Sequence, residues 1–261
     1  MNYGLYLSAA GVLTNRYRQD VFANNLANVH THAFKPLDPT ISNRPPESVE
    51  NPDRFGTANE LLDRLGGGVL AGRQSVDFTV GPHQVTNAPL DAALKEDNTF
   101  FVVHARHGDT GRVETHVTRD GRFNVRSDGT LTTAAGHVVL DPDNQPIVLP
   151  PATPVWVTES GRIVDDQQRP LATLQVARVP NPGDALKPAS KGTFAFVGRD
   201  TREPVTYVDL HVGAVEGSAT MAVPTLMKLV AASKSAMGNA NMIRYHDTLM
   251  DRAVNTLGRV A

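Results

Sequence analysis

Nine histidines are the first residues to test for chemistry, since imidazole titrates near neutrality and is the commonest metal ligand. Two groupings have ligand-like spacing, His30-x-His32 and His104 with His107 and nearby Asp109, but each offers two histidines and no convincing third ligand, where a catalytic zinc takes three. The chain has no cysteine, which excludes thiolate metal sites, cysteine nucleophiles, iron–sulfur clusters and disulfides. Gly66-x-Gly68-x-x-Ala71 has the outline of a dinucleotide-binding turn, yet it follows a helix-like apolar run at 61–65 where that turn needs a strand, so it reads as a flexible junction. Asp141-x-Asp143-Asn144 opens like a calcium loop but lacks the glycine and later glutamate, and Pro142 and Pro146 make it a turn. There is no nucleophile elbow, Walker loop or HExxH motif. A triad drawn from distant positions is the one catalytic arrangement left open. The expectation is a protein with no catalytic residues, no cofactor and no metal.

The elements that would position such residues are simpler to read. Tyr6, Ala10, Leu13, Tyr17 and Val21, widened by Leu5, Ala9, Val12, Phe22 and Leu26, repeat at helical spacing and predict a helix from 3 to about 29 with one buried face. Its apolar run at 5–13 is too short to span a bilayer. No Lys or Arg precedes that run and polar residues 15–20 continue its period, so an amphipathic helix is expected and not a cleaved signal. At the other end Leu226, Leu229, Ser233, Ala236, Ala240, Ile243, Asp247, Met250, Val254 and Leu257 alternate steps of three and four, the spacing of a coiled-coil seam. Pro224 suits the first turn of that helix, which is predicted from about 223 to the end.

Between the ends the period changes. Short β-branched or aromatic runs at 100–104, 113–118, 155–157, 171–179 and 193–197 alternate with turn signals, among them Asp120-Gly121 and Asp128-Gly129, and predict consecutive antiparallel hairpins. Pro36, Pro39, Pro45, Pro46 and Pro52 make the stretch after the first helix a connector. The fold class expected is mainly β with terminal α-helices: residues 1–34 plus 222–261 as a helical assembly domain, 35–68 as an extended connector, and 69–221 as an antiparallel β-rich body.

With 25 Lys and Arg against 27 Asp and Glu the formal charge is −2, so no nucleic-acid partner is implied, and no membrane insertion. A long helix beside one other is a marginal structure. Burying an apolar side chain gains roughly 1.5 to 3 kcal/mol, while ordering each residue costs about 1 to 2 kcal/mol of backbone entropy. Two outcomes follow equally from periodicity. Either the stripes are buried against neighbouring copies, head to tail, as in a helical filament, or the terminal helices pair with each other or lie on the β body in a soluble monomer; the corresponding alternative functions are a periplasmic or surface β-domain that binds ligand or polysaccharide, and a hydrolase.

More specific residues favour the first. Gly4-Leu5-Tyr6, Ala9-Ala10-Gly11 and Asn24-Asn25-Leu26-Ala27-Asn28-Val29-x-Thr31-x-x-Phe34-Lys35 resemble the N-terminal signature of the bacterial flagellar rod and hook protein family. Pro89-Leu90-Asp91-x-Ala93, Phe100-Phe101, Thr118-Arg119-Asp120-Gly121-x-Phe123, Asp128-Gly129-x-Leu131 and Glu216-Gly217-Ser218 keep the family's order, and Asn239, Ile243 and Asp247 match its C-terminal motif. The resemblance covers essentially the whole chain. It implies a non-catalytic structural subunit of the basal-body rod, of proximal or distal type. Its terminal helices would form a coiled-coil-like tube on assembly, its partners would be copies of itself and other rod and hook axial proteins, and it would leave the cell through the flagellar export apparatus without a cleaved signal, into the periplasmic part of the basal body. Leu13, Tyr17, Asn25, Leu26, Asn28, Leu226, Leu229, Ala236, Ile243, Met250 and Leu257 would carry assembly, with Asn25 and Asn28 capping or bridging at the helix end. Four departures stand out: Ala33 where the family has glycine, which predicts a moved or strained turn, Asp97-Asn98-Thr99 for a Gly-x-Gly turn, Ser218-Ala219-Thr220 for Ser-Asn-Val, and Ser233-Lys234-Ser235-Ala236-Met237 for a Gln-Arg-x-Tyr-Glu segment.

Overall fold

The computed structural model describes residues 3–46, 49, 66–106, 112–150, 153–189, 192–205 and 207–257. The protein is β-rich, with a helix at each end, and its contacts divide it into two compact units. The first comprises Met1–Ala27, Leu37–Ser75 and Met221–Ala261; the second comprises Asn28–Pro36 and Val76–Thr220.

In the first unit, helix α1 (Tyr3–Ala27, 25 residues) runs alongside the C-terminal helix, Ala222–Leu257, 36 residues long. Both spans agree with the periodicity, and Pro224 lies in the first turn of the second helix, where its missing N–H costs nothing. Part of the expected connector is strand: Ile41–Asn43 pairs antiparallel with Val69–Ala71, Ile41 opposite Ala71. Gly67 permits this crossing, because a Cβ there would lie 1.8 Å from the Pro45 carbonyl oxygen. The run at 61–65 lies outside the described residues.

The second unit is built from antiparallel ladders. Its largest sheet runs, edge to edge, Leu186–Pro188, Thr193–Phe196, Val113–Thr118, Thr99–Arg106, Val138–Val139, Leu131–Thr133 and Phe123–Val125. Val176–Arg178 also pairs with the long strand, Val176 opposite Phe101, and Glu203–Pro204 adds beyond it. A three-stranded sheet, Val155–Val157, Arg162–Asp165 and Pro170–Thr173, packs on the same core. The run at 171–179 is therefore two strands in two sheets, split where Leu174 turns inward. Phe101, Phe123, Leu131, Ile147, Ile163, Leu174 and Leu210 form the centre, with Phe101 and Phe123 edge to face at 5.1 Å. The adjacent Phe100 points to the other side of its strand and meets Phe78 and Phe194.

The two Asp-Gly signals part company. Asp128-Gly129 does close a hairpin, with Gly129 at φ 84° between strands that pair Leu131 with Val125. Asp120-Gly121 does not, because Val113–Thr118 pairs with Thr99–Arg106 and Thr193–Phe196 while Phe123–Val125 pairs with Leu131–Thr133. Glycine is needed at 121 for close approach: a Cβ would fall 1.8 Å from the Ala92 carbonyl oxygen.

The departures from the glycine pattern resolve differently. Asn98 adopts φ 57°, a conformation its short polar side chain tolerates. Ala33 keeps the left-handed turn at φ 56°, fully buried, with its N–H bonded to the Glu216 carbonyl at 2.8 Å. The turn has stayed and the backbone carries the strain. A second branch at Cβ cannot be accommodated there, so Ala33→Val is expected to lower stability by about 2 kcal/mol. Ala33→Gly, which trades strain against chain entropy, is expected to change it by less than about 1 kcal/mol. Urea unfolding of the two variants reads both values, and equal midpoints for them would contradict the strain.

Candidate assembly surface

The two long helices meet through small and polar residues. Built as a continuation of their backbones, a Cβ on Gly4 would lie 2.5 Å from His246 Nε2 and one on Gly11 would lie 2.5 Å from Asn239 Nδ2. Gln19 Nε2 reaches the Ala232 carbonyl at 3.4 Å, so the pair is antiparallel. Gly4, Ser8, Gly11, Asn15, Gln19 and Phe22 are spaced as one helix face. Asn15 Nδ2 donates back to the Gly11 carbonyl at 2.8 Å. Near the C-terminal end of α1 the large apolar Phe22 is buried, with Arg18 and Lys228 each 5.9 Å from its ring centre. Replacing Gly11 by Leu is expected to wedge the pair apart and speed hydrogen exchange of α1 amides by about tenfold or more. Unchanged exchange would show that the close approach is not needed.

This arrangement corrects the helix face expected from the sequence. Of the α1 stripe, Val21 and Phe22 are buried, whereas Leu13 is 69% exposed and Leu5 and Tyr6 are about two-fifths exposed. The buried positions of α1 are Ser8, Gly11, Thr14, Asn15, Val21, Phe22 and Asn25. Tyr17 is half-buried and donates to the Gly72 carbonyl at 3.1 Å, and Leu26 is half-buried. Asn25 acts like a strand residue: its amide donates to the Leu37 carbonyl at 2.7 Å and accepts from the Leu37 N–H at 2.9 Å, tying the end of α1 to the chain twelve residues on. Asn28 accepts from Thr31 Oγ1 at 3.1 Å in the turn that follows.

On the C-terminal helix the seam is half realised. Leu229, Ser233, Ala236, Ala240 and Ile243 are half-buried toward α1, while Leu226, Asp247, Met250 and Val254 are exposed; the side chain of Leu257 lies outside the described residues. The opposite face carries a second apolar stripe that the periodicity did not single out: Val223, Met227, Val230, Met237, Tyr245 and Leu249, each between 45% and 68% exposed. A contiguous run of large exposed apolar side chains is the kind of surface that marks an interaction site.

In the second unit, three of the quoted motifs converge on one buried ion cluster. Glu216 Oε1 accepts from Lys35 Nζ at 2.5 Å and from the Gly81 N–H at 3.0 Å, and Oε2 accepts from Arg119 Nε at 2.6 Å. All three side chains are essentially inaccessible. The remaining guanidinium N–H groups donate to the carbonyls of Leu94, Glu96 and Thr99, and Lys35 also donates to Thr79. Burial pushes the Glu216 carboxyl up, but Arg119, Lys35 and the Gly81 N–H outweigh it and hold it below the usual carboxylate range. Backbone bonds flank the cluster, Ala33 to Glu216 and Ala219 to Phe34. Segments 28–36, 76–81 and 214–220, which carry the chain into and out of this unit, are held by a single carboxylate. The sequence marked Phe34-Lys35, Thr118-Arg119 and Glu216-Gly217 only as a resemblance; pairing them requires the fold.

The described residues thus present a β body, a buried ion cluster and exposed apolar helix faces. The chain is similar along nearly its whole length to curated flagellar basal-body rod proteins, at 24–29% identity. It is 29% identical over 269 residues to the flagellar basal-body rod protein FlgF of Caulobacter vibrioides, covering 100% of both chains. It is 24% identical to the flagellar basal-body rod protein FlgG of Borreliella burgdorferi, covering 98% of both. A shorter match, 28% identical over 52% of this chain and 29% of the relative, is to the flagellar hook protein FlgE of Helicobacter mustelae. No protein-family model matches. No described helix is long and apolar enough to cross a membrane.

Proposed function

We propose that this chain is a structural subunit of the bacterial flagellar basal-body rod, polymerising through its terminal helices with copies of itself and with other rod and hook axial proteins to form part of the drive shaft. The observation that carries this reading is the similarity to a rod protein that spans 100% of both chains, with both helices and the body included. The outward apolar stripes support it, since a helical assembly gives them partners. On this reading residues 1–34 and 222–261 act as the assembly domain, forming a coiled-coil-like tube, 35–68 connects, and 69–221 is the outer body. Leu13, Leu226, Met250 and Leu257 contact neighbouring subunits, while Tyr17, Asn25, Leu26, Asn28, Leu229, Ala236 and Ile243 contribute by fixing the helices that do. The chain reaches the periplasmic part of the basal body through the flagellar export apparatus, with its N-terminus uncleaved, and carries out no catalysis.

Mass spectrometry of hook-basal bodies purified from the native cell tests this. The expected result is several copies of the chain per body, with Met1 or the residue exposed by its removal at the N-terminus. Absence from bodies that contain the other rod proteins would overturn it.

A further inference from the structure

The chain passes between its two units four times, after Ala27, Pro36, Ser75 and Thr220. Any pull transmitted along the backbone from one unit to the other enters the body at these points. Within the body, each point lies a few residues from a group bonded to Glu216 or to one of its partners. Ala33 N–H and Lys35 Nζ both reach Glu216, one at the backbone carbonyl and the other at the carboxylate. Asp77 N–H donates to the Pro36 carbonyl at 2.9 Å, and Gly81 N–H donates to Glu216 Oε1. Arg119 holds the second carboxylate oxygen, and its guanidinium is itself fixed to the carbonyls of Leu94, Glu96 and Thr99, in and beside the strands Ala92–Leu94 and Thr99–Arg106.

The bonds between the first and last of these segments share a direction. Ala33 N–H meets the Glu216 carbonyl at 2.8 Å and Ala219 N–H meets the Phe34 carbonyl at 3.1 Å, so the entering segment, 28–36, and the leaving one, 214–220, run the same way past each other. Pulling the start of one away from the end of the other loads their bonds together, in shear, instead of opening them one after another. The charged pairs are loaded with them, and in a site closed to water their attraction is not replaced by hydration as they begin to part. We propose that the Lys35–Glu216–Arg119 cluster is a mechanical clasp, through which the body bears tension delivered by its entering and leaving segments. For load in the cell the inference rests on the rod-subunit reading; the clasp itself is a property of the folded chain.

Because the chain has no cysteine, His30→Cys and Met221→Cys give a unique pair of attachment points, both exposed and both outside the cluster. Ser127→Cys and Gln167→Cys, exposed in turns of the body, give a second pair that does not pull on segments 28–36 and 214–220. Each pair is made in the full chain, linked to DNA handles and held at one constant force in an optical trap, and the lifetime of the folded body is read. The otherwise unaltered chain is expected to last about tenfold longer or more when pulled at 30 and 221 than at 127 and 167. Glu216→Gln is expected to shorten the lifetime about 100-fold or more in the first geometry, where the cluster breaks in the rate-limiting step, and less than about threefold in the second, where the cluster is still intact at that step. Lys35→Met, the milder change, should show the same contrast at about tenfold, and keeps the test decisive where Glu216→Gln does not fold. Equal lifetimes in the two geometries, or variants that shorten both by the same factor, would make the cluster an ordinary stabiliser and overturn the clasp. Absence of the chain from basal bodies would overturn the rod reading alone.

Discussion

Glu216→Gln is expected to destabilise the body by about 3–5 kcal/mol, the cost of leaving buried charges without their counter-ion. The substitution preserves shape, so the loss comes from electrostatics: Lys35 and Arg119 would face each other across a neutral amide, both inaccessible to water. Arg119→Met should cost as much by another route, since Glu216 would keep Lys35 but the carbonyls of Leu94, Glu96 and Thr99 would each lose a donor. Lys35→Met is expected to be the mildest of the three. It leaves Glu216 paired with Arg119 and the Gly81 N–H and orphans only the Thr79 carbonyl. Chemical denaturation of the three variants reads the order directly, and Lys35→Met as the most damaging would contradict this account of the cluster.

The same cluster sets a pH dependence with a definite sign. The Glu216 carboxyl titrates lower in the folded protein than in the unfolded chain, so the folded state holds its proton less tightly. Its contribution to stability is fully present above the unfolded carboxylate value of about 4.3 and is lost as pH falls through the lower folded value. Denaturation midpoints of the wild type should therefore be flat on the acid side of neutrality and drop below about pH 4. Glu216→Gln, lower throughout, should show a shallower fall. Parallel curves for the two proteins would mean that other carboxylates control acid unfolding.

What the sequence disclosed and what it hid follow from the range of the interactions. Both helices and most strands were legible, because period and turn chemistry are local: the run at 113–118 is the strand Val113–Thr118, and Asp128-Gly129 closes its hairpin. Asp120-Gly121 misled because the same dipeptide serves two purposes, and only the approach of the Ala92 carbonyl distinguishes them. The buried face of α1 misled for a different reason. Apolar periodicity does not say which side chains meet within the chain, where the contact between the helices is chosen by size, through Gly4, Ser8 and Gly11. The outward stripe on the C-terminal helix is hidden beside the three-four seam that begins at Leu226, because Val223, Met227 and Val230 follow the same spacing on the other side of the helix. The ion cluster could not be read at all, since Lys35, Arg119 and Glu216 are 97 to 181 residues apart in their pairings with the carboxylate.

That division of faces leads to the sharpest functional expectation. Met227→Lys and Leu249→Lys, placed on the outward stripe, should leave the isolated subunit's stability within about 0.5 kcal/mol, as exposed surface substitutions do. In cells they should abolish incorporation into the rod, because association would then bury an unpaired ammonium at each site. Leu229→Asp and Ile243→Asp are expected to fail differently. Both residues are half-buried toward α1, so an acidic group there weakens the antiparallel helix pair first, lowers helical content in the free chain, and loses assembly as a consequence. Circular dichroism of the purified chain together with basal-body composition in cells distinguishes the two. Rods that assemble normally with Met227→Lys and Leu249→Lys would show that the outward stripe is not an interface. Normal rods with Leu229→Asp and Ile243→Asp would show that the helix pair itself is dispensable, and with it the assignment of the terminal helices as the assembly domain.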